Sequence, residues 1–127
     1  LLGTGLWEDP QVFSNAQVEG AWYAGPETTG FRNFSARYRG RYGQDPVRTA
    51  SLSYDAVALV AALVKTQGQQ RFSEAVLTNA SGFAGIDGLF RFRPDGTNQR
   101  GLAVLRVTST SGQMISPPPK SFGASGT

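Results

Sequence analysis

The sequence predicts a mixed α/β fold, and three observations predict it. Phe31, Phe34, Tyr38 and Tyr42 recur at helical spacing, and residues 54–64 (YDAVALVAALV) are apolar at every position except Asp55. From Gly82 onward the period drops to two, with Phe90, Arg91, Phe92 and Arg93 alternating apolar and basic. At 127 residues the chain has the size of one domain, and 39% apolar with 17% charged residues excludes both a disordered chain and a coiled coil.

Taken in order, Leu1 to Gly3 read as the end of a buried strand, and residues 4–10 as the loop leaving it. Residues 11–18 are a short helix with Val12, Phe13, Ala16 and Val18 inward. Residues 20–24 form a strand closed by Gly25-Pro26. Thr28 or Thr29 caps a helix running to Tyr42, where Gly43 supplies a left-handed cap and Asp45-Pro46 forbids continuation. A second helix covers residues 49–66. Being apolar around its circumference, it is expected to be buried on most sides. A third covers 71–79 with Phe72, Ala75 and Val76 inward. Residues 89–93 and 101–108 are expected to pair as a hairpin across the Asp95-Gly96 turn, and Met114 and Ile115 to add a last short strand. Pro117, Pro118 and Pro119 open a flexible tail over 117–127.

Composition removes most chemistries. With no histidine and no cysteine, the chain cannot build a Ser-His-Asp triad, a thiol nucleophile or an ordinary zinc site. Glu8 and Asp9 are the one carboxylate pair, but adjacent side chains in an extended loop diverge, whereas glycosidase carboxyls face each other across roughly 5–9.5 Å. The glycine-rich stretches fit neither the dinucleotide fingerprint nor the phosphate loop. No enzyme activity, catalytic residue, metal site or cofactor is assigned. Twelve basic against nine acidic residues leave a net charge of +3. Three arginines, Arg37, Arg39 and Arg41, alternate with Tyr38 and Tyr42 in RYRGRYG. Cations at a helix C-terminus account for that segment, and no nucleic-acid partner is expected.

Binding remains. Trp7 lies in a Gly-rich loop just past a strand end, where open α/β sheets receive ligands. It is either the wall of an apolar site or a lid on the local core. Trp22 and Tyr23 are neighbours in a strand, so one ring points in and the other out. Asp55 reads as an acid near a helix start, satisfied by backbone amides or an arginine.

The order of LLGTGLW, GAWYAGP, RYRGRYGQDPVRTAS and SYDAVALVAALV resembles the C-terminal part of type I periplasmic solute-binding proteins of the leucine/isoleucine/valine-binding family. It is also similar to their relatives described as penicillin-binding-protein activators. The most specific pieces are Y-G-x-x-P-x-x-x-A-x-x-x-Y-D-A over residues 42–56 and G-F-x-G-x-x-G-x-F-x-F-x-x-D-G over 82–96. The resemblance implies two Rossmann-like lobes closing on a ligand, of which residues 1–122 form the C-terminal segment. Residues 1–20 would end lobe two, 20–88 would complete lobe one with GAWYAGP as a hinge crossing, and 89–116 would hold the last crossing.

By the same resemblance the ligand-facing residues are Thr4, Gly5 and Trp7, with Tyr23 of the next strand counted among them. Family members that bind amino acids often carry an acid in this loop for the ligand ammonium. Here Glu8 is offset, and Trp7 suits an aromatic or apolar ligand, or none. The implied function is that of the periplasmic, in some members lipid-anchored, receptor of an ABC importer. Its partners would be a small-molecule ligand and an inner-membrane permease. The alternative is a regulator contacting a cell-wall synthase. The opening on Leu1 reads as a fragment or a processed product. The chain alone is therefore expected to self-associate or to need its missing portion, because covering the 54–64 helix is worth roughly 25 cal/mol per Å². Sedimentation and melting check this: a monodisperse monomer that melts cooperatively is the outcome that refutes it.

Overall fold

A computed structural model describes residues 1–123 of the chain. It divides into two compact units, one built from Leu1–Glu27 with Gly101–Pro119, the other from Thr28–Arg100 with residues 120–123.

In the first unit, β1 (Leu2–Gly3) leads through a 3₁₀ turn (Gly5–Trp7) to α1 (Pro10–Phe13), a second 3₁₀ turn (Ala16–Val18) and β2 (Trp22–Gly25). The chain returns to this unit with β6 (Ala103–Val107) and β7 (Gly112–Ser116). The sheet order is β1-β2-β6-β7, with β1 parallel to β2 and the other pairs antiparallel. The helix expected over 11–18 is broken in two. Asn15 accepts from the amide of Gln17 at 3.0 Å and so caps a new turn instead of continuing the old one. Pleat alternation builds the core: Tyr23 from β2 and Ala103, Leu105 and Val107 from β6 point inward with Phe13, and Trp7 and Val18 pack against them. Burying a leucine or valine side chain in this way is worth about 1.5–3 kcal/mol.

The second unit carries α2 (Thr28–Tyr42), α3 (Ala50–Thr66), a 3₁₀ turn (Gly68–Gln70), α4 (Glu74–Leu77) and an antiparallel meander of β3 (Phe83–Gly85), β4 (Gly88–Phe92) and β5 (Asn98–Arg100). α2 ends as expected: Gly43 takes φ +72° and its amide donates to Arg39 O at 2.8 Å. Phe83, Phe90 and Phe92 stack along the meander at centroid distances of 5.8–6.4 Å.

Further sequence expectations are corrected. The strand at 89–93 does not pair with the one at 101–108; β4 pairs with β5, while β6 lies in the other unit's sheet between β2 and β7. Within GAWYAGP, β2 is a sheet strand bonded on both sides, and the compact units change at 27/28 and 100/101. The third helix shrinks to one turn, capped by Ser73, and Phe72 is exposed. The proline segment is not loose throughout: Pro119 lies against Gly101, and the Arg91 guanidinium sits 4.6 Å over Phe122. Residues 124–127 of the expected tail lie outside the described residues.

α3 is also less covered than its composition suggests. Its buried residues are Ser51, Asp55 and Leu63, while Val57 is 70% exposed and Val60 and Val64 nearly half exposed. Polar groups on its buried side fasten it to its neighbours. Asp55 accepts the amide of Ile86 with both oxygens, at 2.9 and 3.1 Å. Asp87 accepts from the Ser51 hydroxyl at 2.6 Å and from Arg48 at 3.1 Å. The Arg48 guanidinium in turn lies 4.1 Å over the Phe31 ring of α2. Asp55 is thus satisfied by a backbone amide, though not one of its own helix.

Asp87 is buried while Asp45, paired with Arg39, is exposed. Asp87→Ala is expected to cost about 2–3 kcal/mol, since it strands a buried hydroxyl and a charged partner. Asp45→Ala should cost less than about 1 kcal/mol. Urea denaturation of both variants checks the ordering.

Candidate functional site

The loop after β1 is organised by its own backbone. Thr4 caps the Gly5–Trp7 turn: its carbonyl accepts from Trp7 N at 2.9 Å and its hydroxyl from Leu6 N at 3.4 Å. Asp9 then caps α1 by accepting from Gln11 N at 2.7 Å, with Pro10 in the first helical position. These caps turn the chain sharply enough to fold the Trp7 ring back over Gly3. A Cβ on Gly3 would lie 2.2 Å from that ring, so the fold-back requires glycine. Gly5 approaches Ala24 O and Gly25 Cα across the sheet at ordinary contact distances of 3.7 and 3.8 Å.

Of the predicted ligand-facing residues, the loop brings Thr4, Gly5 and Trp7 together at the end of β1, with Thr4 exposed and Trp7 half-buried. The Trp7 ring packs on the core cluster, 6.4 Å from the Tyr23 ring, as a lid on the local core does, and stays partly exposed. Tyr23 is a correction. Its side chain is 1% exposed and its hydroxyl donates to Glu8 Oε2, so it offers a ligand neither surface nor a free polar group. The outward ring of the pair is Trp22, half exposed.

In the sequence Glu8 is one member of a carboxylate pair whose side chains diverge. The structure makes it the acceptor for a buried phenol fifteen residues away, and no local pattern signals such a bond. Burial first, then the hydrogen bond to Glu8 and its charge, push the Tyr23 phenol well above its ordinary value of 10.0. Gly112 completes the cradle, because a Cβ there would stand 1.8 Å from the Tyr23 hydroxyl oxygen. Among the described residues, no three acidic side chains converge to hold a metal. The arrangement supplies a rim of backbone groups, a hydroxyl and one indole face. Such a rim can hold a small molecule by contact and hydrogen bonding.

The fold recurs in solved structures. A protein assigned to a branched-chain amino acid ABC transporter of Rhodospirillum rubrum superimposes with a TM-score of 0.74 at 24% identity, over 90% of this chain and 36% of that one. A leucine-binding protein from Thermotoga maritima matches with a TM-score of 0.58 at 18% identity, over 91% of this chain and 36% of its own. A solute-binding protein of an ABC transporter from R. palustris, solved with benzoate, matches with a TM-score of 0.52 at 16% identity, over 87% and 34%. The chain has the mixed α/β fold of a portion of the type I periplasmic binding proteins. It spans about a third of the length of the structures it matches. No protein-family model matches the sequence, and no curated protein does.

Tyr23→Phe removes the donor to a half-buried carboxylate and is expected to cost about 1–3 kcal/mol. The pH dependence has a definite sign. The native phenol titrates above the unfolded one, so the stability it confers is complete below pH 10 and is lost as pH rises from there toward the raised native value. Melting curves of the parent should decline above pH 10, and those of Tyr23→Phe should decline less.

Proposed function

We propose that this chain forms part of the solute-binding receptor of an ABC importer, acting outside the inner membrane. The observation that carries the reading is the TM-score of 0.74 to the R. rubrum transporter protein over 90% of the chain. In this reading the first unit belongs to one lobe of a two-lobed receptor and the second unit to the other. The passages between units at 27/28, 100/101 and 119/120 correspond to the segments that cross between lobes. Three such strands of backbone can absorb a rigid-body closure in a few dihedrals, and a ligand favouring the closed form shifts the population that a permease reads.

Thr4, Gly5 and Trp7 form the first unit's contribution to the ligand wall, with Tyr23 behind them holding Glu8 and hence the loop. A half-exposed indole beside capped backbone suits an apolar or aromatic acid. The matched proteins include one named for leucine and one solved with benzoate, which supports that class. The open valines of α3 (Val57, Val60, Val64) support a larger fold that packs on this helix. No observation favours the cell-wall reading.

Thermal-shift titration of the gene product that carries this chain, with leucine, isoleucine and benzoate, tests the proposal. A true ligand at 100 times its dissociation constant stabilises by about 2.7 kcal/mol. Trp7→Ala is expected to abolish that shift. Tyr23→Phe should lower the baseline melting temperature and leave the shift intact. Absence of a shift with all three ligands, and with other apolar acids, contradicts the receptor reading.

A further inference from the structure

The RYRGRYG segment has no role in the ligand wall, and the structure gives it a different setting. Arg37, Tyr38, Arg41 and Tyr42, from the last two turns of α2, line an open groove with Phe34, Ala50 and Tyr54. The groove encloses about 470 Å³ and its floor is aromatic. Phe34 meets Tyr54 edge-on at 5.4 Å, and Tyr38 and Tyr42 lie 4.6 Å apart. Arg37 stands 5.8 Å over the Tyr54 ring and Arg41 5.9 Å over Tyr42. These ring contacts hold both guanidinium groups at the groove while leaving their N–H donors free. Among the described residues neither arginine has a carboxylate partner, and no acid lines the groove. Arg39, between them in sequence, is different: its charge is matched by Asp45.

We propose that this groove docks an acidic amphipathic helix of a partner protein. Arg37 and Arg41 are four residues apart, so they stand one turn from each other, about 5–6 Å between Cβ atoms. That spacing matches two carboxylates four residues apart on a docked helix, and the tyrosine row beside them receives that helix's apolar residues. Charge complementarity selects the occupant. Two uncompensated cations above an apolar floor favour an anionic, half-apolar segment, and each guanidinium can meet a carboxylate bidentately. A lipid surface fits less well. The cations sit in a concavity, the neighbouring Arg39 is already neutralised, and anionic membranes reward several free cations on an accessible face. The proposal is independent of the receptor reading, since the groove lies wholly within the second unit.

The test is fluorescence-anisotropy titration of the gene product that carries this chain with a labelled model helix. The peptide carries glutamates at i and i+4 beside a leucine-phenylalanine face, and the control carries lysines at those two positions. The glutamate peptide should bind saturably and at least tenfold more tightly than the lysine peptide. Arg37→Glu and Arg41→Glu should each weaken it about tenfold, as should salt near 1 M, where the screening length falls to about 3 Å. Arg39→Gln, on a side chain already paired, should leave binding unchanged, and circular dichroism confirms that each variant stays folded. Equal binding of the two peptides overturns the proposal, as does indifference to both charge reversals. Co-sedimentation with phosphatidylserine vesicles by a chain that ignores the glutamate peptide also overturns it.

Discussion

The second unit depends on two buried carboxylates that fasten one tight turn to one helix. Asp55 and Asp87 lie on opposite sides of the contact: the first projects from α3 to the Ile86 amide, the second projects from the turn to Ser51 and Arg48. Their reciprocity matters because a buried charge is tolerable only when its hydrogen-bonding capacity is met. Here no buried side-chain nitrogen or oxygen among the described residues lacks a partner. The clasp also explains two glycines. A Cβ on Gly85 would lie 2.3 Å from the Asp55 carboxylate, and one on Gly30 would lie 2.0 Å from Ile86 O. α2, α3 and the β3–β4 turn therefore approach at backbone distance, which bulkier residues at these positions forbid.

The first unit solves the same problem with one residue. Tyr23 fills the space between β6 and the loop carrying Trp7, and its hydroxyl holds Glu8. The loop that bears Thr4, Gly5 and Trp7 is thus pinned at its far end by the core itself. Loop positions held only by their own caps are less precise than positions fastened to a packed core.

What the sequence discloses divides by range of interaction. α2 and α3 were legible because helix periodicity, the Gly43 cap and the Asp45-Pro46 stop act within a few residues. The strands were legible as strands, but their partners were not. Alternation at 89–93 and 101–108 fits a hairpin as well as it fits membership of two sheets, and Gly101 carries no mark of a change of unit. The Glu8–Tyr23 and Arg48–Asp87 bonds span 15 and 39 residues, and neither spacing is a recognisable motif. Of the candidate site, the position of Trp7 past a strand end was readable. The choice between Trp22 and Tyr23 for the interior was not, since both faces of a short strand look alike until a neighbour covers one.

α3 presents an inversion of ordinary amphipathicity. The side it buries carries Ser51 and Asp55 together with Leu63, and the side it leaves open carries Val57, Val60, Val64 and the ring of Tyr54. A helix stabilised only by the contacts of its own unit would place valines inward and acids outward. Here the polar side is specified by a turn whose amide finds its partner on the helix, and the apolar stripe stays exposed. The polar clasp, and not apolar burial, sets the register of the helix within its unit. The same division reappears in α2, where Phe34 is spent on the interior while Arg37, Arg41 and Tyr42 remain at an open groove. In both helices the bonds within the unit fix position, and the surfaces with the largest unspent apolar area face outward.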